Sequence, residues 1–124
     1  MKQEVGMERG VWGERIAAGH LMAAGYRIVE RNWRYRRCEI DLIATRGNET
    51  IFVEVKVRGA VHCGEIEDAV SAAQRRRLIR AAHKFLVSRQ GMPDQARFDL
   101  IRIVTDARGW KLEHVSDAFM PDPA

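Results

Sequence analysis

Two acids and a lysine near the middle of the chain have the types and spacing of a metal-binding or ion-paired cluster. Asp41 precedes a Glu-Val-Lys triplet whose ends are Glu54 and Lys56. If the acids stand opposite each other on neighbouring strands, their charges lie ~5 Å apart and repel by roughly 3 kcal/mol at an effective dielectric near 20. Lys56 supplies one positive charge, and Mg²⁺, which prefers oxygen ligands, supplies two. Both a metal site and a structural ion cluster fit this pattern.

A β-hairpin from Glu39 to Lys56 brings the two acids together. At its centre lies Gly47-Asn48, whose residues tolerate positive φ and suit a two-residue turn. Counting outward from that turn places Asp41 opposite Glu54 on one face of the sheet. The other face is wholly apolar and carries Ile40, Leu42, Ala44, Ile51, Val53 and Val55. A shift by one residue would separate the acids and expose the apolar side chains, so the hydrophobic pattern selects the register that forms the site.

Two helices are predicted on either side of the hairpin in the sequence. The first covers about residues 11–24, ends at Gly25 and places Glu14 along its apolar stripe. Glu14 is either a first-turn acid that interacts favourably with the helix dipole or a third acid beside the hairpin pair. The second helix begins near Ser71, where Ser71 and Gln74 have the spacing of a capping box. Residues 57–70, between the hairpin and this helix, are expected to form a loop over the site.

The basic residues are clustered in a chain that has a net charge of +4 and a pI near 9.5. Arginines alternate with Trp33 and Tyr35 before the hairpin, and residues 75–89 contain six Lys and Arg residues and no acid. Like charges at i, i+4 destabilise a helix, so this uninterrupted basic face favours phosphate contact over simple solvation. Trp33 and Tyr35 fit either packing positions or stacking on exposed bases. The candidate nucleic-acid contacts are Arg34, Arg36, Arg37, Arg58, Arg76, Arg77, Arg80 and Lys84.

The remaining pattern completes an α/β domain. We predict a first strand over residues 26–34, a central strand over 97–105 and a short edge strand over 110–115. The order α-β-β-β-α-β, with a further edge strand, predicts a mixed sheet flanked by helices. We expect a flexible tail at residues 1–10, a single domain over 11–117 and a second tail at 118–124.

The composition is that of an ordinary soluble domain, with 46% hydrophobic and 31% charged residues. No run approaches the ~20 apolar residues needed to span a membrane, and we expect no signal peptide. Cys38 and Cys63 lack zinc-binding spacing and are expected to be free thiols in the cytoplasm. The four histidines are scattered without metal-ligand spacing, and the sequence assigns them no chemistry.

Short motifs along nearly the whole chain resemble the YraN family of the PD-(D/E)xK nuclease superfamily. They are Gly13-Glu14, Gly25-Tyr26, Arg31-Asn32, Glu39-Ile40-Asp41-Leu42-Ile43, Phe52-Val53-Glu54-Val55-Lys56, Arg58, Gln74-Arg75-Arg76-Arg77-Leu78 and Arg97-Phe98-Asp99. The chain departs from the family at Cys38, where glycine is usual, and from the superfamily at Ile40, where proline is usual. The family is regarded as a set of predicted endonucleases distantly similar to archaeal Holliday-junction resolvases.

This resemblance implies a restriction-endonuclease-like fold and metal-dependent hydrolysis of DNA, above all of branched or otherwise structured DNA. The implied ligands of Mg²⁺ or Mn²⁺ are Asp41, Glu54, the Val55 carbonyl and Glu14. Lys56 would orient or help to deprotonate the attacking water and stabilise the developing charge, and Gln74 would serve in positioning. Junction resolvases act as symmetric dimers, so a homodimer is one assembly to consider.

Two other readings of the same residues stay open. The main alternative is a non-catalytic nucleic-acid-binding accessory protein in DNA processing or recombination, which keeps the fold and the basic surfaces. A third is a partner-binding domain in which the acids and Lys56 form an internal ion network. Cleavage separates the first reading from the others, and salt-sensitive DNA binding separates the second from the third.

Overall fold

The computed structural model describes residues 5–62, 64, 70–89 and 95–119. In chain order the elements are helix α1 (Val5–Ala23), strands β1 (Arg27–Tyr35), β2 (Cys38–Arg46) and β3 (Glu49–Gly59), a short 3-10 helix (Ala60–His62), helix α2 (Ala72–Ser88), and strands β4 (Gln95–Asp106) and β5 (Gly109–Phe119). The predicted α/β order of one helix, three strands, a second helix and a strand, with a further edge strand, is confirmed.

The five strands of the described chain form one mixed sheet in the order β1-β2-β3-β4-β5. β3 and β4 are parallel, whereas the other neighbouring strands are antiparallel. A parallel pair requires a crossover connection, and α2 lies in the connection between β3 and β4. β3 pairs with β4 from Glu49 to Gly59, so the strand that carries Glu54 and Lys56 is held along its whole length.

The two helices cover opposite faces of the sheet. One buried cluster joins α2 to Ile43 and Phe52, and a separate cluster joins α1 to Leu42 and Val53. Because successive residues of a strand point to opposite faces, these neighbouring positions place the helices on opposite sides. Burial on both faces explains the nearly continuous apolar runs of the central strands. No helix in the described part of the chain combines the length and apolar character that a membrane span requires.

Both ends of the domain differ from the sequence prediction. α1 begins at Val5, so residues 5–10, which were expected in a flexible tail, have helical backbone. β5 runs to Phe119 rather than ending near residue 115, because Phe119 is buried and stacks on Phe98 of β4. The rest of the predicted C-terminal tail lies outside the described residues.

Two details between the elements also correct the prediction. The segment 57–70 was expected to be a loop, but β3 extends through Gly59 and the 3-10 helix follows; most of the remainder lies outside the described residues. Ile40 was expected on the apolar face with Leu42, but it packs in the cluster beneath α2 with Ile43. The alternation breaks there because the start of β2 stays paired with β1, through Trp33 and Ile40, after its pairing with β3 has ended.

α1 approaches β3 closely at Gly13, one residue before Glu14. A Cβ atom added at Gly13 would overlap the Cγ2 atom of Val57, and it would also contact Ile103 and Val55. Val57 is β-branched and has little rotamer freedom to move away. This glycine therefore allows the helix to lie at the depth that carries Glu14 toward the sheet.

Gly13→Ala should lower the free energy of unfolding by about 1–3 kcal/mol, the usual cost of overpacking a core. Gly19→Ala in the same helix is the matched control, since its added Cβ atom would meet nothing within 4 Å. That control should stabilise the protein by ~0.5–1 kcal/mol, because alanine is the better helix former. Urea denaturation of both variants and the parent measures the difference, and equal stabilities for the two variants would contradict the close approach.

Candidate functional site

Asp41 and Glu54 face each other where β2 and β3 separate. The β2–β3 ladder follows the predicted register away from the turn and ends at the Leu42–Val53 pair, although both strands continue. Beyond that pair, the side chain of Asp41 takes the place of a backbone acceptor: the Val55 N–H donates to Asp41 Oδ2 at an N···O distance of 2.8 Å. The structure therefore brings the two acids, which we call the acid pair, to one side of the separated strands.

The environment of Asp41 favours its neutral form. Burial, the negative charge of Glu54 and a hydrogen bond between the two carboxyls raise the pKa of Asp41 from its ordinary value of 3.8 to about 8, against the opposing effect of the Val55 N–H. The negative charge of Glu14 acts in the same direction. Asp41 therefore keeps its proton to a higher pH than an ordinary aspartate, because Lys56 supplies too little positive charge for two ionised carboxylates at this spacing.

The two oxygens of Glu54 have different surroundings. Oε2 accepts from Gln74 Nε2 at 2.8 Å and forms an ion pair with Lys56 Nζ at 3.2 Å. Oε1 is buried and has no hydrogen-bond donor among the described residues other than the Asp41 carboxyl when that group is protonated. The side chain of Glu54 is only 8% exposed, so an unsatisfied oxygen is costly. Two groups therefore hold Oε2 in place, and Oε1 can accept a cation once the Asp41 proton is released.

Gln74 reaches the acid pair from the first turn of α2. Ser71 caps this helix, and its Oγ accepts from the Gln74 N–H at 3.1 Å, as the capping-box spacing predicted. The other half of a capping box would turn the Gln74 side chain back toward Ser71, but this side chain instead donates to Glu54. Only the Ser71 half of the predicted capping box is therefore formed, and the Gln74 side chain instead holds the Glu54 carboxylate in place.

Glu14 is partly buried and influences the acid pair through its charge. Among the described residues, no group of three or more His, Cys, Asp and Glu side chains stands close enough together to hold a metal ion. A three-acid cluster is thus not assembled. Two carboxylates are nevertheless a suitable donor set for Mg²⁺, which usually keeps several waters and binds through one or two carboxylates. The buried Glu54 Oε1, the Asp41 carboxyl and the adjoining Val55 peptide fit such an ion chemically.

Arginines from two distant parts of the sequence line one cavity near the acid pair. The turn between β1 and β2 supplies two of them and α2 supplies the other two. The cavity has a volume of about 270 Å³ and is lined by Tyr35, Arg36, Arg37, Cys38, Arg77 and Arg80. We call it the arginine cavity. Both segments were predicted as nucleic-acid contacts, but nothing in the sequence indicated that they meet.

Cys38 connects the arginine cavity to the acid pair. Burial and the negative charge of Glu54 raise the pKa of the Cys38 thiol, Asp41 adds to this effect, and Arg77 opposes it. The thiol is therefore within electrostatic range of both groups. At the position where the resembled family has glycine, this chain has a side chain that lines the arginine cavity and interacts electrostatically with both acids.

The other predicted basic contacts lie outside the lining of the arginine cavity. Arg34 is exposed and pairs with Glu39 at 3.3 Å. The Nζ atom of Lys84 lies 5.9 Å from the centre of the Tyr35 ring. Arg58 and Arg76 are exposed, and Arg58 donates to the carbonyl of Val57. The basic surface therefore consists of the arginine cavity, whose four arginines are themselves exposed to solvent, and of the exposed basic residues around it.

A polar network that the sequence reasoning missed links α1, β4 and β5. Asp99 is fully buried and accepts two hydrogen bonds from Arg97, at 2.8 and 2.7 Å, one from the Asp117 N–H at 3.0 Å, and contacts His114 Nε2 at 2.8 Å. His114 Nδ1 lies 2.9 Å from His20 Nε2. Burial opposes ionisation of Asp99, but these donors outweigh it and lower its pKa to about 2. We call this the Asp99 network.

The Asp99 network has a structural character. The carboxylate of Asp99 is bound on both oxygens, which leaves no side free for a ligand. Burial and the neighbouring His114 lower the pKa of His20, and the contact between the two rings holds α1 against β5. Arg97 and Asp99 share a strand face at i, i+2, a signal that was present in the sequence, whereas His20 and His114 are too far apart in the chain to be paired by spacing.

Comparison with known proteins identifies the family. The sequence profile of the uncharacterised protein family UPF0102 matches residues 13–103, which include both members of the acid pair, Lys56 and Gln74. The chain belongs to the UPF0102 family. It is 40% identical over 116 residues to the UPF0102 protein of Chlorobium limicola, with 89% of this chain and 90% of the relative covered. The UPF0102 protein of Chlorobium chlorochromatii is 43% identical over 118 residues, with coverages of 90% and 91%.

The stability of this UPF0102 protein in the presence of a chelator should fall as pH rises, because of Asp41. Its pKa is about 8 in the fold, above its ordinary value of 3.8. The folded state therefore holds a proton that the unfolded chain releases, so the stabilising contribution is complete below about pH 4 and is lost as pH rises through about 8. Asp41→Asn cannot ionise and should remove this part of the pH dependence.

Thermal melts of the parent and of Asp41→Asn between about pH 5 and 9 measure the effect. Asp106→Asn is the control, because Asp106 is exposed in the β4–β5 turn and asparagine can still accept the backbone hydrogen bonds of Arg108 and Gly109. The control should retain the slope of the parent. A parent and an Asp41→Asn variant with the same slope would show that Asp41 titrates normally.

Proposed function

We propose that this protein is a metal-dependent endonuclease of the PD-(D/E)xK type that hydrolyses phosphodiester bonds in branched or otherwise structured DNA. The observation that carries the proposal is the acid pair, in which two carboxyl groups meet beside one lysine and the Glu54 Oε1 atom has no donor among the described residues other than a protonated Asp41, whose proton a cation could replace. Lys56 stands beside it. The resemblance of the sequence motifs to the YraN family and its superfamily supports the same reaction class.

The residues around the pair would hold Mg²⁺ or Mn²⁺ through Asp41, Glu54 and the Val55 carbonyl. A bound divalent cation lowers the pKa of a coordinated water and stabilises charge on phosphoryl oxygens. The Val55 N–H anchors Asp41, and Gln74 anchors Glu54, so both carboxylates are positioned before a ligand arrives. Glu14 adds negative charge at longer range, which strengthens attraction for a cation.

Lys56 supplies the positive charge that the reaction requires on the protein side. Its side chain is 17% exposed and its amine pairs with Glu54, so the ammonium group is held beside the acid pair. In the reaction a water oxygen forms a bond to phosphorus and one ester P–O bond breaks, which leaves a phosphomonoester and a hydroxyl group. The Lys56 ammonium would orient the water and stabilise the negative charge that develops on the phosphoryl oxygens.

The basic surface supports a nucleic acid as the substrate. Arginines dominate it, and they come from a turn and a helix face rather than from a base-reading motif. Contacts of this kind go mainly to phosphates and give little sequence preference. Selection of a substrate would then depend on the shape of the DNA rather than on its sequence.

The alternative is a non-catalytic nucleic-acid-binding accessory protein. It is favoured by the two donors on Glu54 Oε2, since Lys56 and Gln74 would also satisfy a carboxylate in an internal ion network. Such a protein would bind DNA through the same arginines and would not cleave it. Stability and activity measurements on one variant separate the two readings.

Glu54→Gln should abolish metal-dependent cleavage while the fold and most of the DNA affinity remain. Glutamine keeps an oxygen for Lys56 and Gln74 but removes the negative charge that a hard cation requires. Because the substitution also removes repulsion with Asp41, the variant should be as stable as the parent or more stable. Cleavage of branched, flapped, nicked and linear DNA with Mg²⁺ and Mn²⁺, together with thermal melts, gives both readouts.

Glu30→Gln is the control, because Glu30 forms a partly exposed pair with Arg89 and should retain full activity. An ion network predicts a different pattern. Removing one partner of a buried pair would strand Lys56 at a cost of roughly 3–5 kcal/mol. A loss of that size in Glu54→Gln, with no cleavage by the parent on any substrate, would rule out the nuclease in favour of the accessory protein.

Replacing Arg76, Arg77 and Arg80 with alanine should weaken DNA binding and reduce its salt dependence. Each lost contact with a duplex phosphate should lower the slope of log K against log salt by up to ~0.9. Fluorescence anisotropy over a salt series measures the slope. Arg108→Ala, in the exposed turn between β4 and β5, is the control for a general loss of charge. An unchanged slope in the triple variant would assign this helix face to solvation.

A further inference from the structure

We propose that the arginine cavity binds a terminal phosphate of a nucleic-acid strand, as a site distinct from the acid pair. The choice of a nucleic acid as ligand rests on the proposed function. The cavity is concave, and it is formed by two elements that fold together, the β1–β2 turn and α2. Its four arginines are exposed, so a ligand can reach them, and because they come from two elements they can contact one phosphate group from more than one side.

The positive charge of the lining is larger than one internal phosphodiester, with its single negative charge, could neutralise. Four arginines line the cavity, and its lining residues include no carboxylate. An internal phosphodiester carries a single negative charge, whereas a phosphomonoester carries about −1.5 to −2 at pH 7 and presents three strong acceptor oxygens. Guanidinium groups bind such oxygens with paired N–H donors. A terminal phosphate therefore matches the lining better than a phosphate within a chain.

The cavity is also held in shape before a ligand binds. Arg36 has a left-handed backbone, with φ of 57°, and its guanidinium lies 5.4 Å from the centre of the Tyr35 ring. Tyr35 stacks with Trp33 at an interplanar angle of 10°, and Trp33 packs edge-on against Phe85 of α2. The aromatic contacts fix the turn against the helix and offset the repulsion among the arginines in the free protein. An anion that binds in the cavity then relieves this repulsion.

The position of the cavity relates it to the reaction. Cys38 lines the cavity and is within electrostatic range of both acids. A strand whose end lies among the arginines would therefore pass the acid pair a short distance from that end. This arrangement favours nicks, flaps and overhangs, which have strand ends, over junctions whose strands are all continuous.

The test compares short single-stranded oligonucleotides of one sequence that carry a 5′-phosphate, a 3′-phosphate or only hydroxyl ends. The measurement is fluorescence anisotropy of the full chain in the presence of a chelator. One of the phosphorylated strands should bind on the order of tenfold more tightly than the hydroxyl strand, as expected for added charge-assisted hydrogen bonds. The preferred arm identifies which end enters the cavity. The preference should shrink below about pH 6, where the phosphate loses its second charge.

Arg77→Ala and Arg80→Ala should each reduce this preference to near unity, whereas Arg76→Ala should keep it. Arg76 is the matched control, because it is exposed on the same helix as Arg77 and Arg80 but does not line the cavity, so its loss should weaken the binding of phosphate and hydroxyl strands alike. Equal affinities of the parent for phosphate and hydroxyl ends would overturn the inference, and so would an equal effect of all three substitutions. If cleavage that depends on Glu54 is observed in that case, the proposed function is retained and only this inference fails. If neither DNA binding nor cleavage is observed, the proposed function fails as well.

Discussion

The separation of β2 from β3 is the constraint on which the site depends. If the ladder had continued, backbone hydrogen bonds would have joined the strands at Asp41 and Glu54, and their carboxylates would have stood side by side on the sheet. Instead the Asp41 carboxylate takes the Val55 N–H, which satisfies a buried backbone donor and anchors the acid. The arrangement places two carboxyl groups close together, which causes electrostatic repulsion. Lys56 and a proton on Asp41 reduce this repulsion.

The topology of the sheet supplies the rest of the site. Because β3 and β4 are parallel, a helix must cross between them, and the first turn of that helix carries Gln74 to Glu54. The following turns of α2 carry Arg77 and Arg80 to the β1–β2 turn. One crossover connection thus closes the hydrophobic core, positions a carboxylate and forms one wall of the arginine cavity. A site built on such an element is held more firmly than one built on a loop.

The sequence could predict the features that depend on local pattern and could not predict those that depend on distant contacts. The hairpin register followed from alternation and from the Gly47-Asn48 turn, and it holds from the turn to Leu42. Ile40 was assigned to the wrong face because its direction depends on whether β2 follows β1 or β3. The Ser71 motif indicated a helix start correctly, but the same spacing allows Gln74 to turn either to the cap or to Glu54. The meeting of the two arginine segments required the tertiary fold.

A comparison of Asp99 with Asp41 in the same sheet shows why the acid pair is better explained by function than by stability. Asp99 is surrounded by donors that outweigh its burial and lower its pKa to about 2. Asp41 lies on a neighbouring part of the same sheet with a single backbone donor and a like-charged neighbour, and its pKa is raised to about 8. The fold therefore can neutralise a buried carboxylate fully, and at Asp41 it does not. A carboxyl pair left short of positive charge is costly in the free protein, and it gains most from a ligand that brings such charge. This difference between two sites of one sheet is the reason to expect a cation at Asp41 and Glu54 and only structural support at Asp99.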